Sequence, residues 1–405
     1  MHQVVSESAI PVKPSGARPR LDSVDLLRGC IMIFMALDHV RDLFHDDSMR
    51  IDPTDMAHTY PALFFTRWIT HFCAPLFVFL AGTGAFLSLG RGRSKPELSY
   101  FLVTRGLWLI VLEYTLVPFG WTFGFAPNFL GGQVIWAIGC SMLVLAALIY
   151  LPRWALITFA VVTIVGHNLL DGIKPETFGS FAWLWIVLHV QRGFEFHGFH
   201  FFSVYPLIPW IGVMAAGYAF GGILKKDRAE RRRSLVSLGA SLCLAFVLLR
   251  ALNVYGDPHP WRTQRDGIYT LLSFLNCTKY PPSLLYLLMT IGPGVLAIWL
   301  FDRDRSKFAQ PLIVFGRVPL FYYLLHVPLA HLLAIAFAYV KYGYAGFIVH
   351  GPPWFQENPH FPAEYGYNLA ATYAIWLLVI ALLYPLCRWF ADFKQRRREA
   401  WLSYF

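Results

Sequence analysis

Residues 26–47 read LLRGCIMIFMALDHVRDLFHDD. The run is apolar enough, and long enough, to cross a bilayer as a helix, which takes about 20 residues. Yet it carries Arg28 near its start and Asp38, His39, Arg41 and Asp42 towards its far end. Charged and titratable groups are expensive in hydrocarbon, so they face a bundle interior or a water-filled path. Eleven residues of α-helix turn about 1100°, roughly 20° beyond three full turns, and rise about 16 Å. Arg28 and His39 therefore share one face, with Met32 and Met35 between them. Asp25 and Asp42 fall near the same line, and Asp38 lies at its edge. Such a stripe has two readings. One is a buried structural network, with Asp25 favoured near a helix N-terminus by the macrodipole. The other is a histidine held at membrane depth by a carboxylate and fit for proton transfer near neutral pH.

The rest of the chain sets the context. Of 405 residues, 57% are hydrophobic and only 14% charged, and mean hydropathy is +0.49. A soluble domain is about 25% charged. Apolar runs recur over roughly 24–43, 61–89, 100–118, 133–151, 154–170, 205–224, 234–253, 282–301, 311–340 and 368–390. The expected fold is all-α: a polytopic membrane bundle of about ten transmembrane helices. A barrel would show short alternating strands instead. Residues 1–20 are polar, with no apolar core of a signal peptide, and read as a disordered cytoplasmic tail. Residues 21–390 form one transmembrane domain, and 391–405 a basic cytoplasmic tail.

The formal charge of +10 has a topological origin and is no sign of nucleic-acid binding. With the N-terminus inside, the inner segments hold twenty of the 34 Lys and Arg, and the outer loops eight. Short inner connections such as KKDRAERRRS at 225–234 satisfy the positive-inside rule, so both termini are expected in the cytoplasm. The outer connections, about 42–60, 171–204, 254–281 and 341–367, are long and rich in Trp, Tyr, Pro and His. Long ordered loops usually carry function. The six cysteines are scattered without a CxxC, so no disulfide or zinc framework is expected. HGFH at 197–200 lacks a third ligand nearby, so no metal role is expected.

Two further spans carry polar groups. TRWITHFCAPLF (66–77) places Arg67 and His71 one turn apart on one face, and Pro75 is expected to bend that helix. FGRVPLFYYLLHVPLAH (315–331) holds Arg317, Tyr322, His326 and His331, with Tyr322 and His326 one turn apart. Glu113 and His167, each alone in its span, read as structural. Asp38, His39, Arg67, His71 and His326, all towards the outer half, point to a site.

RLDSVDLLRGCIMIFMALDHVRD (20–42), APLFVFLAGTGAFLS (74–88), LNCTKYPPSLLYLLMTIGP (275–293) and FGRVPLFYYLLHVPLAH resemble, in that order, the bacterial branch of the heparan-alpha-glucosaminide N-acetyltransferase catalytic-domain family. The resemblance runs from about residue 20 to 389. Arginine, ten residues, then histidine is also similar to the first-helix pattern of the polysaccharide O-acetylating membrane acyltransferases, with Arg28 and His39 in those positions. The resemblance implies a transmembrane acyltransferase that takes cytoplasmic acetyl-CoA and acts on an acceptor across the membrane, a glycan or amino sugar. It implies a multi-pass protein of the bacterial inner membrane, whose partners are the lipid bilayer and acyl-CoA, and leaves a homodimer open. In the animal enzyme an asparagine ends the first span, where Asp38 stands here, and a catalytic histidine follows in the loop, where His45 and His58 are near; His71 stands where that enzyme has an aspartate.

Acyl transfer needs a base for the acceptor's proton and donors for the tetrahedral oxyanion. A histidine with a neighbouring carboxylate supplies the first: His39 with Asp38 or Asp42, or, in reserve, His71. Arg67 or Tyr322 supplies the second. Basic residues of the inner mouth, Arg28, Arg91, Arg93 and Arg317, suit the phosphates of CoA. A proton-coupled transporter uses the same buried groups. It would favour an internal repeat, and none is evident.

Overall fold

The computed structural model describes residues 22–90, 92–125, 128–303, 309–356, 359–397 and 399–405. The expected tail 1–20 lies outside them. The chain is a helical bundle, as expected. Its first helix is α1 (Asp22–Phe44), followed by α2 (Pro61–Thr70), α3 (Cys73–Leu89), α4 (Lys95–Tyr114), α5 (Leu116–Thr122), α6 (Val134–Leu148) and α7 (Arg153–Gly166). Then come α8 (Ala182–His189), α9 (Leu207–Leu224), α10 (Arg228–Leu252), α11 (Gly267–Leu275) and α12 (Leu284–Phe301). Last are α13 (Gln310–Arg317), α14 (Pro319–Tyr342), α15 (Gly346–Val349) and α16 (Leu369–Arg396). Among the described residues, 8 helical stretches are long and apolar enough to cross a membrane, and α6 is a shorter apolar helix. The 23-residue α1 is as long as a span, but its aspartates and arginines dilute its hydropathy. These make up the expected ten.

Three of the expected spans are broken, the third at Thr115 between α4 and α5. The second divides at His71 and Phe72, and Pro75 lies within the first turn of α3. A proline there removes no helical hydrogen bond. The His71 carbonyl, freed by the break, accepts from the Tyr286 hydroxyl at 2.7 Å. The ninth divides at Val318, so Pro319 opens α14. Pro328 lies inside α14.

α1 is the axis of the bundle, touching α2, α3, α12, α13, α14 and α16. Its approach to α13 depends on two glycines. A Cβ on Gly29 would lie 1.8 Å from the Leu312 carbonyl oxygen, and one on Gly316 would lie 1.8 Å from that of Asp25. Any side chain there would push the helices apart.

Glu113 shows what one buried carboxyl group does for the fold. It is 1% exposed, and its carboxylate accepts from the Trp136 backbone N–H at 3.0 Å in the first turn of α6. Gln133, the residue before that helix, makes no side-chain cap. Glu113 supplies the cap from a neighbouring helix, satisfying an N–H that the first turn leaves free.

The loop-rich end is ordered by similar devices. Three short strands, β1 (Phe129–Gly132), β2 (Gly193–Phe196) and β3 (Phe199–Ser203), form a sheet in the order β1-β3-β2. The antiparallel β2–β3 hairpin turns through His197 (φ 48°) and Gly198 (φ 81°). Positive φ at both positions is what a two-residue turn of that hand demands. Buried Arg250, at the end of α10, donates to the carbonyls of His259, Ser273, Phe274 and Asn276 at 2.7–3.1 Å. Asp257 accepts from the Thr278 N–H and hydroxyl and from the Ser283 hydroxyl. Together they fix the segment that carries Lys279 and Tyr280.

Candidate functional site

The histidine of α1 meets the histidine of α14. His39 Nδ1 lies 2.6 Å from His326 Nε2, with the rings stacked at 4.9 Å. The tautomers follow from the far side of the pair. His326 Nδ1 lies 3.1 Å from the Tyr322 carbonyl, which can only accept, so Nδ1 carries the hydrogen. His326 Nε2 is then an acceptor, and His39 Nδ1–H donates to it. Neutral His39 is left with its lone pair on Nε2, the form a general base needs. Trp121 of α5 packs edge-on against His39 at 5.0 Å, and Tyr322 stacks on His326 at 5.5 Å. The Tyr322 hydroxyl is buried and has no hydrogen-bond partner among the described residues.

Asp38 does not hold His39, contrary to the expected histidine–carboxylate pairing. Consecutive helical residues point about 100° apart, so Asp38 turns away from the ring. Its Oδ2 accepts from Arg67 Nη1 at 2.5 Å, and its Oδ1 pairs with Arg41 Nη1 at 2.9 Å. Arg41 also pairs with Asp42 at 2.5 Å. Two carboxylates and two guanidinium groups thus compensate one another, as buried charges must. Lys279 lies within Coulombic range of Asp38, His39 and His71.

Two cavities lie along this axis. The first, of about 260 Å³, opens among Arg28, Arg105, Arg317 and Lys394 and runs between largely apolar walls past Met32 to Tyr323. The Tyr323 ring is 5.6 Å from His326, so the basic cavity ends beside the histidine pair. Arg28 holds its place through Asp25 at 3.0 Å and the Gly316 carbonyl at 3.1 Å. Of the other expected basic residues, Arg93 stacks at 4.1 Å on Phe101, itself part of the cavity wall, and Arg91 lies outside the described residues. Arg105 and Lys394 were missed. An arginine inside an apolar span was the available signal for Arg105. Lys394 read only as a topology charge.

The second cavity, about 290 Å³ at the loop-rich end, is lined by Arg67, His71, Gln191, Asn276, Lys279 and Tyr280 among others. Arg67 and His71 thus reach one site, as their spacing predicted. His71 is buried, and its Nδ1 has no hydrogen-bond partner among the described residues. Tyr280, in the loop before α12, is subject to opposed effects. Burial raises its phenol, but Lys279 and Arg67 outweigh it and hold the group below its ordinary value. Lys279 and Tyr280 were missed as site residues because they sit in a long connection and come over α2 only through the Arg250 and Asp257 contacts. His331 is structural: its ring nitrogens face the carbonyls of Gly120 and Ile348, and Phe123 stacks on it at 4.4 Å.

The family model described as heparan-alpha-glucosaminide N-acetyltransferase, catalytic, matches residues 20–255, more than half of the chain. The matched stretch contains Arg28, Asp38, His39, Arg67 and His71; His326 and Lys279 lie beyond it. No curated protein matches the chain.

Proposed function

The chain belongs to the heparan-alpha-glucosaminide N-acetyltransferase catalytic family, which makes it a membrane acetyltransferase, and from that premise we propose a route for the acetyl group. Acetyl-CoA enters the basic cavity from the cytoplasmic side. Arg28, Arg105, Arg317 and Lys394 take its phosphates, and the pantetheine arm follows the apolar walls to the histidine pair. The acceptor, a terminal amino sugar or other glycan end, enters the second cavity from the opposite side. At about 290 Å³ that cavity is at the lower end of small-molecule sites, which suits one sugar ring rather than a long chain.

His39 Nε2 takes the proton of the attacking amine or hydroxyl. The new bond forms to the thioester carbonyl carbon, whose oxygen gathers negative charge. The buried Tyr322 hydroxyl donates to it, with the Arg67 side as the reserve. The tetrahedral intermediate collapses with loss of CoA thiolate, which takes back the proton held on His39 Nε2. His71, on the acceptor side, positions the acceptor, and it takes over as base if His39 is not the one used. The observation that carries this reading is a basic cavity whose wall residue Tyr323 packs on His326, the partner that sets the His39 tautomer. The reading puts the basic mouth and both termini on the cytoplasmic side and takes the membrane to be the bacterial inner membrane.

Purified protein in liposomes with radiolabelled acetyl-CoA and glucosamine-ended acceptors tests it. Label should reach the acceptor when acetyl-CoA is supplied on the side of the basic mouth. Transfer that requires acetyl-CoA on the loop-rich side would overturn the route.

A further inference from the structure

A second cluster of histidines lies apart from both cavities. His167 sits where α7 passes into the turn at 167–170, Asp171 follows that turn, and His189 ends α8. One ligating atom from each lies within 4.8 Å of the other two. His167 and His189 are each only 2% exposed. Both ring nitrogens of His167 and Nδ1 of His189 are buried without a hydrogen-bond partner among the described residues. Buried polar atoms normally find partners, so three orphan nitrogens in one place call for an explanation.

The surrounding contacts are those of a ligand shell. His189 Nε2 and Asp171 Oδ1 converge at 3.1 Å, so a cation can replace the hydrogen they share and be held by both atoms. Asn168 donates to Asp171 Oδ2 at 2.8 Å and is itself fixed by accepting from the Leu284 N–H at 2.9 Å. The Asp171 side chain is 24% exposed, which leaves a route to water.

We propose that His167, His189 and Asp171 bind one divalent cation of the zinc class at the loop-rich end of the bundle. Two imidazole nitrogens and one carboxylate oxygen suit zinc, with water at a fourth position. Magnesium and calcium prefer all-oxygen shells. Zinc–ligand bonds of about 2.0–2.1 Å require ligand atoms roughly 3.3 Å apart, a closure that rotation of the His167 ring and the partly exposed carboxylate provides. The bound cation would tie the end of α7 to α8 and, through Asn168, to the start of α12. This site is independent of the acetyl-transfer reading.

Untagged protein in detergent, stripped with EDTA and dialysed against Zn²⁺, should retain about one zinc per chain by elemental analysis, and its thermal midpoint should rise with Zn²⁺. Asp171→Asn, a change at a partly exposed position, should weaken zinc binding by about 100-fold or more, since losing a ligand costs at least what losing a supporting partner costs, and abolish the thermal shift. His189→Ala should lose zinc as well. Stripped wild type that takes up no zinc would overturn the site. So would zinc retained by Asp171→Asn and His189→Ala alike but lost in His197→Ala/His200→Ala.

Discussion

His326→Ala removes the acceptor that the His39 Nδ1–H uses at 2.6 Å. The hydrogen is then left in a buried site beside the Trp121 ring, where an unsatisfied donor costs about 1–3 kcal/mol. That cost falls on the tautomer whose lone pair is on Nε2. At 1.36 kcal/mol per factor of ten, acetyl transfer should drop about 5- to 150-fold. His39→Ala removes the base and should lower turnover by about 10²–10⁴-fold. His326→Gln keeps a side-chain carbonyl able to accept from Nδ1–H, so it should recover most of the loss. Because the two rings act as one unit, the double variant should be no slower than His39→Ala alone. The assay is transfer of labelled acetyl from acetyl-CoA, with thermal stability in detergent measured on each protein. A folded His39→Ala protein with full activity would refute the role of the pair. Loss confined to His71→Ala would move the base to the acceptor cavity.

Arg28→Ala should raise the KM for acetyl-CoA by about 10- to 150-fold, the worth of a charge-assisted hydrogen bond of about 1.5–3 kcal/mol, while exposed Arg192→Ala leaves it unchanged; equal KM values for the two would place the cofactor elsewhere. Arg250→Met strands four carbonyls and should cost about 3–5 kcal/mol, seen as a lower thermal midpoint and as proteolysis within 257–279; an unchanged midpoint would show that the loop does not depend on it. Glu113→Ala removes the cap of α6 and should destabilise by about 1–2 kcal/mol, read as a lower midpoint with the KM for acetyl-CoA unchanged. A cysteine placed at Ser234 should be labelled from the cytoplasmic side only, and one at Ala363 from the other.

Composition and periodicity were enough to read the class of fold and ten of its helices, because hydrocarbon leaves a chain few ways to satisfy its backbone. The stripe on α1 was equally legible. Helical geometry is local, so Arg28 and His39 had to share a face whatever packed against it. Arg67 with His71, and Tyr322 with His326, were readable for the same reason. What lies across from a face is not local. That His39 meets His326 rather than Asp38 depends on how α1 and α14 cross, which is set by distant contacts such as Gly29 against Leu312 and Gly316 against Asp25. The break at His71 also needed the fold, because the freed carbonyl is stable only with Tyr286 opposite it. Glu113 looked like a lone buried charge until α6 arrived at its carboxylate. His167 and Asp171 are near neighbours in the chain, but only tertiary packing brings His189 to them. Periodicity dictates which residues share a surface; which surfaces meet is decided by close packing, and that depends on the whole bundle at once.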